Sequence, residues 1–119
     1  ASENQLSTYG VISSKNMDGR EKVDSIVEKP KPADAPSNLA VFGRYILSKD
    51  IFLNIEQTKP GLNNEIQLTD AIQDLISKQD VFALEFEGRR FDCGSKEGYI
   101  SAIIDRALSI DKYKSIIEK

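Results

Sequence analysis

An Asp-Gly pair at positions 18 and 19 lies between two β-favourable segments, and it restricts the fold more than any other feature of the sequence. Residues 9–13 contain Tyr, Val and Ile, and residues 23–28 alternate apolar and polar side chains. An Asp-Gly pair between such segments is a strong signal for a tight turn. The pattern therefore predicts a β-hairpin whose two arms flank residues 16–22.

Proline and glycine divide the middle of the chain into short elements. Three of the four prolines fall within residues 29–38, which predicts an irregular loop with extended backbone before each proline. The apolar run 39–47 is typical of a strand covered on both faces. Ser48 follows this run and is expected to cap a short helix that Pro60 and Gly61 end.

The second half predicts two helices separated by a second hairpin. Helical spacing begins at Leu68 and extends to about Lys78, and residues 81–86 and 90–92 are expected to pair around Gly88. Ser95 is expected to cap the longest helix, whose apolar stripe lies within residues 99–108. The element order β-β-β-α-α-β-β-α predicts an α/β fold, a mixed sheet with flanking helices.

The composition excludes several kinds of chemistry. The chain has no His, which rules out a Ser-His-Asp triad, a Cys-His pair and a His-ligated zinc site. Its single cysteine, Cys93, cannot form an internal disulfide and favours a reducing, cytoplasmic location. A net charge of −3 argues against nucleic acid as a partner, and no apolar run approaches the roughly 18 residues of a membrane span.

Four short segments contain residues that suit ligand chemistry. At the predicted end of a strand, Glu28 could accept hydrogen bonds from sugar hydroxyls and Lys29 could neutralise a phosphate, or the two could be a solvated charged pair. Gly10 marks either a close approach of a ligand or a bulge. Asp70 could bind Mg²⁺ or support the start of a helix. The segment 92–96 could hold an anion at the start of a helix or could be a structural corner before that helix, and its composition favours the corner.

The order of these segments resembles the sugar-binding part of the bacterial UTP–glucose-1-phosphate uridylyltransferases, also called UDP-glucose pyrophosphorylases. The resemblance extends over about residues 7–110. It depends on six segments: YGV (9–11), IVEKP (26–30), APSNLAVFGRYIL (35–47), QTKPG (57–61), EIQLTDAI (65–72) and FEGRRFDCGSK (86–96). The glucose-1-phosphate thymidylyltransferases share the Glu-Lys-Pro and glycine elements and remain an alternative.

The resemblance implies a Rossmann-like nucleotide-diphospho-sugar transferase fold, Mg²⁺ as cofactor, and UTP, glucose 1-phosphate and UDP-glucose as ligands. By matching positions, the backbone of Gly10, the Glu28 carboxylate and the Val41 backbone would hold the glucose. Lys29 would bind the sugar phosphate and act as the catalytic residue, and Asp70 would lie near the metal.

The family's N-terminal glycine-rich nucleotide loop has no counterpart in this sequence. We therefore expect residues 1–119 to be the C-terminal, sugar-binding portion of a nucleotidyltransferase domain that is inactive alone, with the nucleotide-binding portion absent. The alternative is a stand-alone module for sugar-phosphate binding or oligomerisation. A sheet cut in this way would leave an unpaired edge and an uncovered apolar face, so self-association into a homo-oligomer is also expected.

Overall fold

The structure is a computed structural model that describes residues 6–117. The chain divides into two compact units, Ala1–Leu84 and Glu85–Lys119. The first unit contains all the described strands, which are β1 (Gly10–Met17), β2 (Arg20–Glu28), β3 (Leu39–Val41) and β4 (Phe82–Ala83). They form one sheet in the order β3-β1-β2-β4.

Two longer helices complete the first unit and two more belong to the second. In chain order they are α1 (Asp50–Gln57), α2 (Leu68–Ile76), α3 (Lys96–Leu108) and α4 (Asp111–Ile117). Short 3₁₀ turns lie at Pro32–Asp34 and Leu62–Asn64. The α/β class is confirmed, with the difference that every described strand pair is antiparallel, where a mixed sheet was expected.

The predicted N-terminal hairpin is confirmed, and its connection is shorter than expected. Met17 pairs with Arg20, so only Asp18 and Gly19 form the turn, with φ angles of 52° and 78°. Both angles lie in the left-handed region that two-residue hairpins of this type require, which explains the Asp-Gly pair. The strands therefore continue through most of the predicted 16–22 connection.

A β-bulge in this hairpin determines which side chains face the core. Ser13 pairs with Ser25 but Ser14 pairs with Val23, so Asp24 is the extra residue of β2. The bulge changes the strict alternation of the strand, and as a result Val23 and Ile26 are both buried. They join a core that also contains Ile12, Ile51, Ala71, Ile72 and Leu75.

The sheet is less extensive than the apolar pattern predicted. The strand expected over residues 39–47 ends at Val41, close to Gly43 with its φ of 94°, and Ile46 is fully exposed. The prediction of a second hairpin around Gly88 is wrong. Strand β4 has two residues and pairs with β2, and residues 84–92 contain no strand. Leu84 in this segment is exposed, so its apolar side chain does not contribute to the core.

Two of the helices, α2 and α3, start where the sequence predicted, and α1 lacks its predicted cap. Helix α2 begins at Leu68, as its spacing predicted, and ends at Ile76. Ser95 caps α3, since its Oγ accepts a hydrogen bond of 3.0 Å from the Gly98 amide. Ser48 does not cap α1 as expected; its hydroxyl instead donates to the Gln79 Oε1 at 3.2 Å.

The apolar stripe predicted on the longest helix is present, and its side chains are about half exposed. Helix α3 contains no buried residue, and its exposed apolar side chains include Tyr99, Ile100, Ile103, Ile104 and Leu108. None of the helices in the part of the chain that the structure describes is long and apolar enough to cross a bilayer.

Candidate functional site

Three strands end together at one end of the sheet and bring three of the predicted site residues into contact. Gly10 opens β1, and it pairs with Glu28 at the end of β2 and with Val41 at the end of β3. Because β1 lies between the other two strands, Gly10 has Glu28 on one side and Val41 on the other. Residues 31 positions apart in sequence thus become neighbours through strand register alone.

Thr69 closes this group from the start of α2; it belongs to the motif segment 65–72, but the sequence alone assigned it no role at the site. Its hydroxyl donates a hydrogen bond of 3.0 Å to the Glu28 Oε2, and the residue is 7% exposed. A Cβ placed on Gly10 would lie 2.9 Å from the Thr69 Cγ2 and 2.9 Å from the Val41 Cγ2. We call Gly10, Glu28, Val41 and Thr69 the Gly10 cluster.

The missing side chain of Gly10 is therefore a requirement of packing. Carbon atoms in contact are normally about 3.5–4.0 Å apart, so any larger residue would displace Val41 or Thr69. The bulge interpretation of Gly10 does not apply, because the bulge of this hairpin lies at Asp24, opposite Ser13 and Ser14. Close approach of the surrounding side chains is what the position needs.

Glu28 and Lys29 extend from the cluster as a charged pair. The Lys29 Nζ lies 3.7 Å from the Glu28 Oε1, and the side chains are 39% and 15% exposed respectively. A carboxylate can accept about four hydrogen bonds. With Thr69 on one oxygen and Lys29 at this distance from the other, Glu28 retains acceptor capacity for hydroxyl groups.

The backbone of Lys29 has an unusual conformation beside this charged pair. Its φ is 43°, in the left-handed region, although a residue before proline was expected to be extended. Its amide donates a 3.0 Å hydrogen bond to the carbonyl of Tyr9, the residue preceding Gly10, which holds this conformation. Such backbone strain is concentrated at functional sites in proteins.

Tyr45 lies near this charge. Partial burial, together with the negative charge of Glu28, raises the pKa of the Tyr45 phenol above its ordinary value. Like an ordinary tyrosine, it keeps its phenol proton at neutral pH and can donate a hydrogen bond; the shift extends this state to higher pH. Tyr45 was expected in an apolar strand, without a role at a site.

Asp70 follows Thr69 in the first turn of α2, but its carboxylate contacts the loop at Gly61 and not the Gly10 cluster. A Cβ on Gly61 would lie 2.7 Å from the Asp70 Oδ2, so this carboxylate packs against the backbone of the loop before the helix. Asp70 also lines a cavity of about 370 Å³ with Gln57, Thr58, Lys59, Gln73 and Asp74. No side chain caps α2, whose N-cap residue is Gln67.

The metal expectation for Asp70 can be compared with its surroundings. Among residues 6–117 there is no group of three or more His, Cys, Asp or Glu side chains that could hold a metal ion. Mg²⁺ commonly binds through one or two protein carboxylates together with substrate phosphates and water. The carboxylates of Asp70 and Asp74 on one cavity fit that donor set, and Glu28 does not line the cavity.

The segment 92–96 is a structural corner, as its composition indicated. The Asp92 Oδ1 accepts a 3.0 Å hydrogen bond from the Gly94 amide, and the Ser95 hydroxyl donates to the Asp92 carbonyl at 3.1 Å. Cys93 has a free, exposed thiol within this corner. These bonds account for the Asp, Gly and Ser of the segment.

Comparison with known protein families gives this geometry its context. The family described as Nucleotidyl transferase matches residues 1–107, which is most of the chain. The chain belongs to the nucleotidyl transferase family. This match confirms the family that the six motif segments predicted.

Two relatives within the nucleotidyl transferase family are proteins of Streptococcus pyogenes. UTP–glucose-1-phosphate uridylyltransferase 2 of serotype M1 is 48% identical over 111 residues, which is 92% of this chain and 37% of the relative. A second protein, UTP–glucose-1-phosphate uridylyltransferase, is 50% identical over 111 residues and is covered to 36% of its length. The chain thus spans little more than a third of these curated relatives.

Solved structures of family members have the same fold. A crystal structure of UDP-glucose pyrophosphorylase complexed with UDP-glucose superposes with a TM-score of 0.86 at 46% identity, over 92% of this chain and 42% of that one. A UTP-bound UGPase from Acinetobacter baumannii gives a TM-score of 0.78 at 36% identity, over 100% of this chain and 42% of that one. The nucleotidyltransferase fold of the described residues is therefore established.

Proposed function

We propose that this chain supplies the glucose 1-phosphate site of a UTP–glucose-1-phosphate uridylyltransferase. That reaction joins UTP and glucose 1-phosphate to give UDP-glucose and pyrophosphate. The observation that carries the proposal is the meeting of Gly10, Glu28 and Val41 at adjacent strand ends, with Lys29 beside them. Relatives at 48% and 50% identity bear the name of this activity, which supports it.

The Glu28 carboxylate and the backbone of Gly10 and Val41 would hold the sugar end of the substrate. Glucose presents several hydroxyl donors, and the mostly buried Glu28 carboxylate offers free acceptor positions beside the Gly10 backbone. Hydrogen bonds to a charged acceptor are shorter and stronger than those between neutral groups. The Val41 backbone would close the other side of the sugar across β1.

Lys29 would act on the phosphate end. Its side chain is 39% exposed and its ammonium group lies 3.7 Å from the Glu28 Oε1, so the group can turn toward a ligand phosphate while staying near the sugar site. A phosphate oxygen of glucose 1-phosphate attacks the α-phosphorus of UTP, a new O–P bond forms, and the bond to the departing pyrophosphate breaks. Both reactants are anionic, so neutralisation and alignment of the attacking phosphate lower the barrier.

Mg²⁺ is the cofactor that this proposal includes, with Asp70 as the residue that would hold it and Asp74 on the same cavity. When bound, the ion neutralises phosphate charge and orients the triphosphate. The exposed, free Cys93 supports a reducing, cytoplasmic setting for the reaction.

The test is an assay of UDP-glucose formation by the full-length gene product, with Glu28→Ala and Lys29→Ala compared with Ser77→Ala. Ser77 caps the far end of α2 and is a matched surface control. Loss of a charge-assisted contact should lower kcat/KM roughly 10- to 150-fold in the first two variants. Near-normal activity of either would contradict the role assigned to that residue.

A second arm of the assay replaces UTP with dTTP. Turnover with dTTP and none with UTP would favour the thymidylyltransferase alternative. Saturable binding of glucose 1-phosphate without turnover of either nucleotide would favour the stand-alone module.

A further inference from the structure

We infer that Thr69 is a positioning residue for the Glu28 carboxylate and thereby determines the affinity for the sugar. This inference rests on the proposed function of Glu28 as the acceptor for glucose hydroxyls. Thr69 is the second residue of α2, and its hydroxyl donates to the Glu28 Oε2 at 3.0 Å.

Thr69 fixes one oxygen of Glu28 more firmly than Lys29 fixes the other. The Lys29 Nζ is 3.7 Å from Oε1, beyond direct hydrogen-bond distance, and the lysine is 39% exposed. Thr69, in contrast, is 7% exposed and makes a bond of normal length. A hydrogen bond shielded from water is electrostatically stronger than an exposed one, so Thr69 sets the rotation of the carboxylate.

The two γ substituents of Thr69 serve different members of the Gly10 cluster. Its hydroxyl bonds to Glu28, while its Cγ2 methyl lies 2.9 Å from the point where a Cβ of Gly10 would stand. The methyl therefore fills the space that the glycine leaves open. Because the helix holds Thr69 and the strands hold Gly10 and Glu28, this one side chain couples the start of α2 to the sugar site.

Because the hydroxyl and the methyl of Thr69 contact different residues, the two groups can be tested separately. Thr69→Val keeps the methyl and the side-chain shape but removes the donor, and Thr69→Ser keeps the donor but removes the methyl. Thermal unfolding of each variant shows whether the fold is retained. Ser77→Ala, which removes a hydroxyl at the other end of α2, is the matched control.

Steady-state kinetics of the full-length gene product then separate positioning from packing. We expect Thr69→Val to raise KM for glucose 1-phosphate about tenfold, with little change in kcat or in KM for UTP. Thr69→Ser should restore a nearly normal KM. An unchanged KM in Thr69→Val, or an equal rise in both variants, would overturn the inference.

A double-mutant cycle with Glu28→Ala decides whether Thr69 acts through Glu28. In the Glu28→Ala background, Thr69→Val should cause no further rise in KM, because the group that it positions is gone. A full and independent rise in that background would overturn the inference and leave the proposed function intact. A normal KM in Glu28→Ala alone would overturn both the proposed function and the inference.

Discussion

Substitution of Gly10 by alanine is the smallest change that perturbs the whole Gly10 cluster. The added methyl group would lie 2.9 Å from both the Thr69 Cγ2 and the Val41 Cγ2, and 3.5 Å from the Glu28 Oε2. Ordinary contacts between carbon atoms are about 3.5–4.0 Å, so each of the two neighbours must move by about 0.5–1 Å. Protein interiors are close-packed and have little room for such a movement.

The expected size of the effect follows from these distances. Insertion of one methyl group into a well-packed region costs about 1–3 kcal/mol. The hydrogen bond between Thr69 and Glu28 is 3.0 Å long, and lengthening by about 0.5–1 Å would take it beyond the normal range. We therefore expect Gly10→Ala to lower both the free energy of unfolding and the affinity for glucose 1-phosphate.

Two measurements with a matched glycine control test this reasoning. Urea unfolding should show a loss of about 1–3 kcal/mol, and KM of the full-length gene product for glucose 1-phosphate should rise about tenfold or more. Gly19→Ala, at a turn position with φ of 78° and open space around it, should also lower stability but leave KM unchanged. Wild-type stability and wild-type KM in Gly10→Ala would refute the packing argument.

Three further predictions concern the surroundings of the site. Asp70→Asn should raise the Mg²⁺ concentration needed for half-maximal activity about tenfold, and more than Asp74→Asn does; an unchanged Mg²⁺ requirement would exclude Asp70 as a ligand. Because the folded state raises the pKa of Tyr45, it holds the phenol proton more tightly than the unfolded state, so stability falls as pH rises above about 10. Tyr45→Phe should reduce that fall in urea unfolding at high pH, and an identical pH profile would contradict the pKa shift. The exposed Ile100 and Ile103 of α3 should cause the isolated chain to self-associate in sedimentation equilibrium; Ile103→Glu should weaken this, whereas a wild-type monomer at all concentrations would argue against it.

Local signals predicted the elements whose conformation depends on adjacent residues. The turn at Asp18 and Gly19, the start of α2 at Leu68 and the Ser95 cap each follow from a few neighbouring positions. The second hairpin failed because a β-favourable run needs a partner strand, and the partner of β4 is β2, about 60 residues earlier in the chain.

The same distinction applies to the candidate site. The residues of the sugar site could be named from motif order, because Glu28, Lys29 and Gly10 lie in recognisable segments. Thr69 also lies in such a segment, 65–72, but its role could not be predicted, since its bond to Glu28 joins residues 41 positions apart and depends on how α2 packs against the sheet. The left-handed backbone of Lys29 also escaped prediction, because the following proline favours extended geometry and the contact with Tyr9 opposes it.

The structure also changes the expectation that an unpaired sheet edge causes self-association. The edge strands β3 and β4 contain only three and two residues, so they offer few free backbone groups for pairing with another copy. Self-association is therefore expected through the apolar face of α3 rather than through strand pairing.

A crystal structure of the full-length gene product with glucose 1-phosphate would test the central claim most directly. We predict that glucose hydroxyls bind the Glu28 carboxylate beside the Gly10 backbone, with the phosphate on the Lys29 ammonium group and the Thr69 hydroxyl still on the Glu28 Oε2. A sugar phosphate bound elsewhere, with Glu28 and Lys29 facing only each other, would contradict the proposed site.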